Sequence, residues 1–189
     1  MRQRKWKTRV TQLNADEGER SPSKVDPEQA RKRTMARAVK LLAAKARSIE
    51  ELRERLLEKS YTNEEIVESV LEKLKEYDFV NDERFAVGYA SFKLRQQPLG
   101  PRRLERALDL KKVNRQIANE AIRLVYEQTP EKEMIERALS KRLRLRGRPK
   151  TRAQTKSLFD HLLRQGFSYE LVVEKVREVS LANDDDEER

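Results

Sequence analysis

The sequence predicts an all-α protein made of three tandem three-helix repeats, stacked into an elongated, curved helical array. Three observations lead there. Of the 189 residues 40% are charged and 37% hydrophobic, with only five Gly and six Pro, a balance that suits helices with thin apolar stripes and mixed-charge outer faces. Helix-start signals recur along the chain, each pairing a capping side chain with an acidic or amide residue or a proline just behind it. Finally, the apolar positions repeat at intervals of roughly 50 residues, a period found in stacked helical arrays.

Residues 1–26 read as a flexible basic tail, in which Trp6 stands among Arg2, Arg4, Lys5, Lys7 and Arg9. Trp6 offers a ring for stacking on a base or a partner, but a disordered tail or a small strand pair is the plainer reading. Repeat one, residues 27–80, opens at Asp26-Pro27-Glu28-Gln29, and Met35, Val39, Leu42 and Ala46 form the expected stripe of its first helix. The capping box Ser48-Ile49-Glu50-Glu51 starts a second helix on Leu52 and Leu56. Thr62-Asn63-Glu64-Glu65 starts a third on Ile66, Val67, Val70, Leu71 and Leu74.

Repeat two, residues 81–129, begins with Asn81 as cap and Asp82 and Glu83 in the first turn, the charge sign that a helix N-terminus prefers. Phe85, Tyr89 and Phe92 recur at helical spacing and are expected to be core. Pro101 opens the next helix, which should run to about Lys112 with Leu104 and Leu108 inward. Asn114 caps the third, on Ile117, Ala118, Ala121, Ile122 and Val125. Repeat three, residues 130–181, follows a cap-and-proline signal at Thr129-Pro130 and carries Ile135, Leu139 and Leu143. It breaks at Gly147-Arg148-Pro149 and resumes on Leu158, Leu162 and Leu163. Gly166 supplies a left-handed terminus, and Ser168 caps a last helix on Leu171, Val172, Val176 and Val179. Residues 182–189 read as an acidic disordered tail.

The repeats align residue by residue. Leu52, Leu56 and Tyr61 match Leu104, Leu108 and Val113, then Leu158, Leu162 and Phe167. The apolar residue at the end of each set precedes a helix cap, where it can staple the turn; Phe167 is accordingly a core candidate. One such unit alone would be a marginal domain, so the three should share cores or interfaces.

Function is narrowed first by charge. A net charge of +10 and a pI near 9.8 favour a polyanionic partner. With no cysteine, disulfides, thiolate metal sites and cysteine nucleophiles are excluded. No apolar run reaches the roughly 20 residues of a membrane span, so a soluble cytoplasmic protein is expected, without membrane contact. His161 is the single histidine, between Asp160 and Leu162, and reads as a boundary residue of its helix, not a base or ligand. No phosphate-cradling glycine loop occurs, and the carboxylates alternate with Lys and Arg as solvated faces do. An enzyme is therefore the least favoured class, and no catalytic residue, metal or cofactor is expected.

Basic clusters are the better signal. Arg102, Arg103 and Arg106 form one; Lys141, Arg142, Arg144, Arg146, Arg148, Lys150 and Arg152 form a denser one around Gly147. Arginine suits bidentate contact to carboxylate or phosphate. A helix-turn-helix reader fits poorly, because the positions that would meet bases are Asn63-Glu64-Glu65, Arg115-Gln116 and Tyr169-Glu170. A broad charged docking surface fits better.

Three ordered motifs then bear a family likeness: Val80-Asn81-Asp82-Glu83-Arg84-Phe85-Ala86 with Tyr89, Gly100-Pro101-Arg102-Arg103-Leu104, and Arg164-Gln165-Gly166-Phe167-Ser168-Tyr169-Glu170-Leu171. Over residues 30–180 the chain resembles the RecX regulators of the RecA recombinase. In that family the cap pair at Asn81-Asp82 is often two Asp, and the change keeps capping ability. The resemblance implies a non-enzymatic modulator that lodges in the groove of RecA filaments on single-stranded DNA; a monomer is expected, its basic groups facing either acidic groups of the filament or DNA phosphate. Such proteins restrain RecA recombination, ATP turnover and LexA cleavage, and so act in DNA repair and the SOS response. The competing reading is a nonspecific DNA- or RNA-binding helical array acting without RecA.

Overall fold

The computed structural model describes residues 26–187, with side chains described through residue 180. The expected basic tail with Trp6 thus lies outside the described residues. Within them the chain forms nine α-helices and no strand: α1 (Pro27–Ala44), α2 (Ile49–Leu57), α3 (Glu64–Glu76), α4 (Asp82–Gln96), α5 (Pro101–Asp109), α6 (Arg115–Gln128), α7 (Glu131–Arg146), α8 (Arg152–Arg164) and α9 (Tyr169–Glu187). Every extensively packed helix pair lies within one successive triple, so the three-helix repeat is also the packing unit.

Local chemistry explains most boundaries. The side chains of Asp26, Ser48, Asn63, Asn81, Asn114 and Thr151 accept backbone N–H bonds in the first turns of α1, α2, α3, α4, α6 and α8. Each satisfies a donor that the helix cannot. Three boundaries differ from expectation. Thr129 closes α6, donating its N–H to the Val125 carbonyl, and α7 starts one residue after Pro130 without a side-chain cap. The helix from Pro101 stops at Asp109, because the chain turns through a left-handed Lys112 (φ 58°) to bring Val113 into the core. And α9 continues to Glu187, through the acidic run expected to be a disordered tail, since neither Gly nor Pro follows Gly166 to stop it.

Two buried stripes also correct the sequence reading. In α1 the fully buried positions are Ala30, Thr34 and Ala38, while Val39 is 48% exposed. In α4 they are Ala86, Ala90 and Leu94, one position round from the aromatics. Phe92 is 48% exposed, not core, and Phe85 and Tyr89 are half-buried, stacked with ring centroids 5.7 Å apart. The physical reason is close approach: Ala86 on α4 shares one cluster with Ala118 and Ala121 of α6, and the rings of Phe85 and Tyr89 pack against that cluster from outside it, half-buried. Leu104, Leu108 and Phe167 are completely buried.

The hydrophobic clusters do not respect the repeat boundaries equally. Unit one (α1–α3) has its own core around Leu52, Leu56, Val67 and Leu71. Units two and three share a large one, in which Ala90, Leu94, Leu99 and Leu104 join Met134, Ile135, Leu158, Leu162 and Phe167. The seam between units one and two is polar. Ile49 N–H donates to Asp82 Oδ1 at 2.8 Å, the Ser48 hydroxyl donates to the Lys111 carbonyl, Lys111 Nζ stands 3.2 Å from Glu51, and Lys112 pairs with Glu54. One donor there, Arg47 Nε, is buried with no hydrogen-bond partner among the described residues, a cost of about 1–3 kcal/mol.

Candidate functional site

The N-terminus of α5 and the turn between α8 and α9 are built against each other. Gly100 N–H donates to the Gln165 carbonyl at 2.9 Å, and Arg102 N–H to the Gly166 carbonyl at 3.2 Å. Two orphan donors of α5 are thereby satisfied by the neighbouring unit. The approach requires glycine on both sides. A Cβ at Gly100 would fall 2.1 Å from the Gly166 carbonyl carbon, and one at Gly166, where φ is 89°, would fall 2.4 Å from Arg103 N. Tyr126 seals the same junction by donating its hydroxyl to the Leu99 carbonyl at 2.6 Å, and burial pushes its own ionisation well above the ordinary phenol range. So the Gly-Pro-Arg-Arg and Arg-Gln-Gly-Phe motifs, far apart in sequence, are the two halves of one contact.

That contact sets a row of cations along the junction of units two and three. Arg103 Nη1 donates to the Arg164 carbonyl at 2.9 Å. Across the junction Lys141, Arg142, His161 and Gln165 line a notch of about 130 Å³ with Gln97 and Pro98 of the preceding unit. Burial, then the charges of Arg142 and Arg164, hold the His161 pKa below its ordinary value, so the imidazole is uncharged at neutral pH. Arg102 and Arg106 are exposed one helical turn apart on α5.

The two sequence clusters therefore meet only in part. Lys141 and Arg142 join Arg103 and Arg164 at the junction. Arg142 also borders a second hollow, of about 250 Å³, at the α7–α8 elbow, where Arg146 and Arg148 stand with Gln154 and Ser157. Arg144, Lys150 and Arg152 are exposed and line neither hollow. Sequence reasoning missed Arg164 and the setting of His161. Arg164 was visible within its motif, but nothing in one sequence signals that it meets a residue 61 positions away.

Among the described residues this surface lacks counter-charge, as do some cations elsewhere such as Lys45 and Lys93, whereas several other arginines are matched by carboxylates. Arg53 binds Glu68 with Nε–Oε1 at 2.6 Å, and Arg84 and Arg123 pair with Asp78 and with Glu120 and Glu127. Among the described residues Arg102, Arg103, Arg106, Lys141 and Arg142 make no ion pair with a carboxylate. A cationic row without carboxylate counter-charge is available to an external anion. The described residues include no group of His, Asp and Glu able to hold a metal ion, and no helix long and apolar enough to cross a membrane.

Fold and surface together define an all-helical tandem-repeat protein with an exposed cationic surface. Family models bring this to a particular group: the RecX first three-helix domain matches residues 35–74 and the RecX second three-helix domain residues 81–122. The regulatory protein RecX of Amycolatopsis mediterranei is 31% identical over 161 residues, which cover 83% of this chain and 91% of that protein. The regulatory protein RecX of Bacillus licheniformis is 27% identical over 158 residues; the match takes in 84% of this chain but only 59% of that longer relative. The crystal structure of RecX from Lactobacillus salivarius superimposes with a TM-score of 0.72 at 21% identity, over 82% of this chain and 99% of that one. The chain belongs to the RecX family, whose named members are regulatory proteins.

Proposed function

We propose that this protein regulates RecA by binding RecA–DNA filaments in the filament groove, chiefly inhibiting recombination, ATP turnover and LexA cleavage during DNA repair and the SOS response. It acts in the cytoplasm as a monomer and without catalysis. The observation that carries this reading is the unpaired cationic row at the junction of units two and three. Because those units share one apolar core, the row is held on a firm body, which suits many modest contacts along a polymer. Acidic groups of the filament or phosphates of its DNA are the chemistry such a row meets.

Sedimentation with RecA filaments, set beside sedimentation with the same DNA alone across a salt series, tests the reading. Filament formation should increase the bound fraction at every salt concentration. Binding that filaments do not enhance, and that falls steeply with salt, would instead mark a nonspecific nucleic-acid binder.

A further inference from the structure

A second surface lies away from the cationic row, between the end of unit one and the exposed side of α4. It is a groove of about 670 Å³, a size typical of ligand-binding clefts. Leu42, Ala46, Phe79, Phe85, Tyr89 and Phe92 give it an apolar floor. Phe79 is 63% exposed, and Phe92 likewise faces solvent, so the floor is uncovered at both rings. Lys45, Arg47, Arg84, Lys93 and Lys111 rim it, and no carboxylate lines it. Glu51 serves both Arg47 and Lys111, and Asp78 pairs with Arg84, while Lys45 and Lys93 make no ion pair among the described residues. The rim is therefore left with a positive surplus.

We infer that this groove binds an acidic amphipathic helix of a partner protein, with leucine-like side chains on the aromatic floor and carboxylates on the rim. Charge complementarity argues for that occupant. A second copy of this chain docked groove to groove would bring the same cationic rim and be repelled. Single-stranded nucleic acid would have to stack on Phe79 and Phe92, because Phe85 stacks on Tyr89 and Lys93 Nζ stands 5.5 Å from its centroid; the oligonucleotide control below reads that occupant. Gly88 lies in the groove, and a Cβ built there meets nothing within 4 Å, so a partner helix can approach the α4 backbone closely. This surface is independent of the filament reading, and its test contains no RecA, so either can fail alone.

Gly88 also supplies the test. Replacing a glycine inside an exposed helix raises helix propensity, so Gly88→Glu and Gly88→Lys should both fold. The probe is a fluorescein-labelled peptide of about 14 residues, glutamate and leucine with the leucines at helical spacing, followed by anisotropy. A scrambled peptide of the same composition and a deoxythymidine oligonucleotide serve as controls. The full chain should bind the helical peptide at least about tenfold more tightly than the scrambled one; Gly88→Glu should remove that preference and Gly88→Lys keep it. Equal affinity for the two peptides, or indifference to both substitutions, overturns the proposal. So does loss of oligonucleotide instead of peptide binding in Gly88→Glu, or peptide binding that appears only after residues 182–189 are removed, which would make the chain's own tail the occupant.

Discussion

His161 sits among Arg142, Arg164 and Lys141, and its imidazole is discharged by burial first and by the two guanidinium groups second. A histidine whose folded pKa lies below its unfolded value favours the neutral form. Its contribution to stability is present above the unfolded pKa and is lost as pH falls through the folded one. Because it is the chain's single histidine, its NMR titration reads the cationic row directly. The midpoint in the free protein should lie below that of an unstructured histidine. A bound phosphate backbone should bring it back up, since a nearby anion favours the imidazolium. A midpoint unmoved by saturating oligonucleotide would place phosphate elsewhere on the molecule.

At the scale of helices, the recurring device is that one helix satisfies the exposed end of another. Asp82, in the first turn of α4, accepts from the first N–H of α2, and Glu131 at the start of α7 accepts from Ser168 N–H at 2.7 Å. Burial raises the Asp82 pKa, outweighing the hydrogen bond from Ile49 that lowers it. A carboxyl group with a raised folded pKa stabilises most below its unfolded value, and that contribution is lost as pH rises through the folded pKa. The stability of the wild type relative to Asp82→Asn, measured by urea unfolding, should therefore decline as pH rises from about 4 to about 7. A difference that stayed flat or increased would show that the carboxylate is not desolvated. Caps of this local kind were legible in the sequence, because Ser48, Asn63, Asn81 and Asn114 act on their own first turns. The aromatic stripe of α4 was misread because hydrophobic bulk is a poor guide where two helices meet through alanines; Ala86 meets Ala118 and Ala121 in one cluster and looks unremarkable in a sequence. The pairing of Gly100 with Gly166 was out of reach for a different reason: the steric demand on each exists only once the other is in place.

Across the whole molecule, three equal repeats in sequence become two unequal bodies in packing. Units two and three are joined by one apolar core and the glycine crossing, whereas unit one meets unit two through hydrogen bonds and ion pairs that salt weakens. Native-state hydrogen exchange should find the slowest amides of α2 and α3 opening at a lower free energy than those of α8 and α9, with the gap widening as salt is raised. Uniform protection would mean that the polar seam couples as strongly as the shared core. The two bodies also separate the candidate surfaces, the cationic row lying on the firm body and the aromatic groove at the weaker seam.

The central claim, that the cationic row inhibits RecA, is tested most directly by RecA ATP hydrolysis on single-stranded DNA with wild type and with the Arg102→Glu, Arg106→Glu double variant. These two arginines are exposed and hold no side-chain contact that the fold needs, unlike Arg103, which binds the Arg164 carbonyl. The wild type should suppress hydrolysis, and the variant, with an unchanged melting temperature, should require a concentration at least about tenfold higher for the same effect. Inhibition by the folded variant at the wild-type concentration would contradict the account.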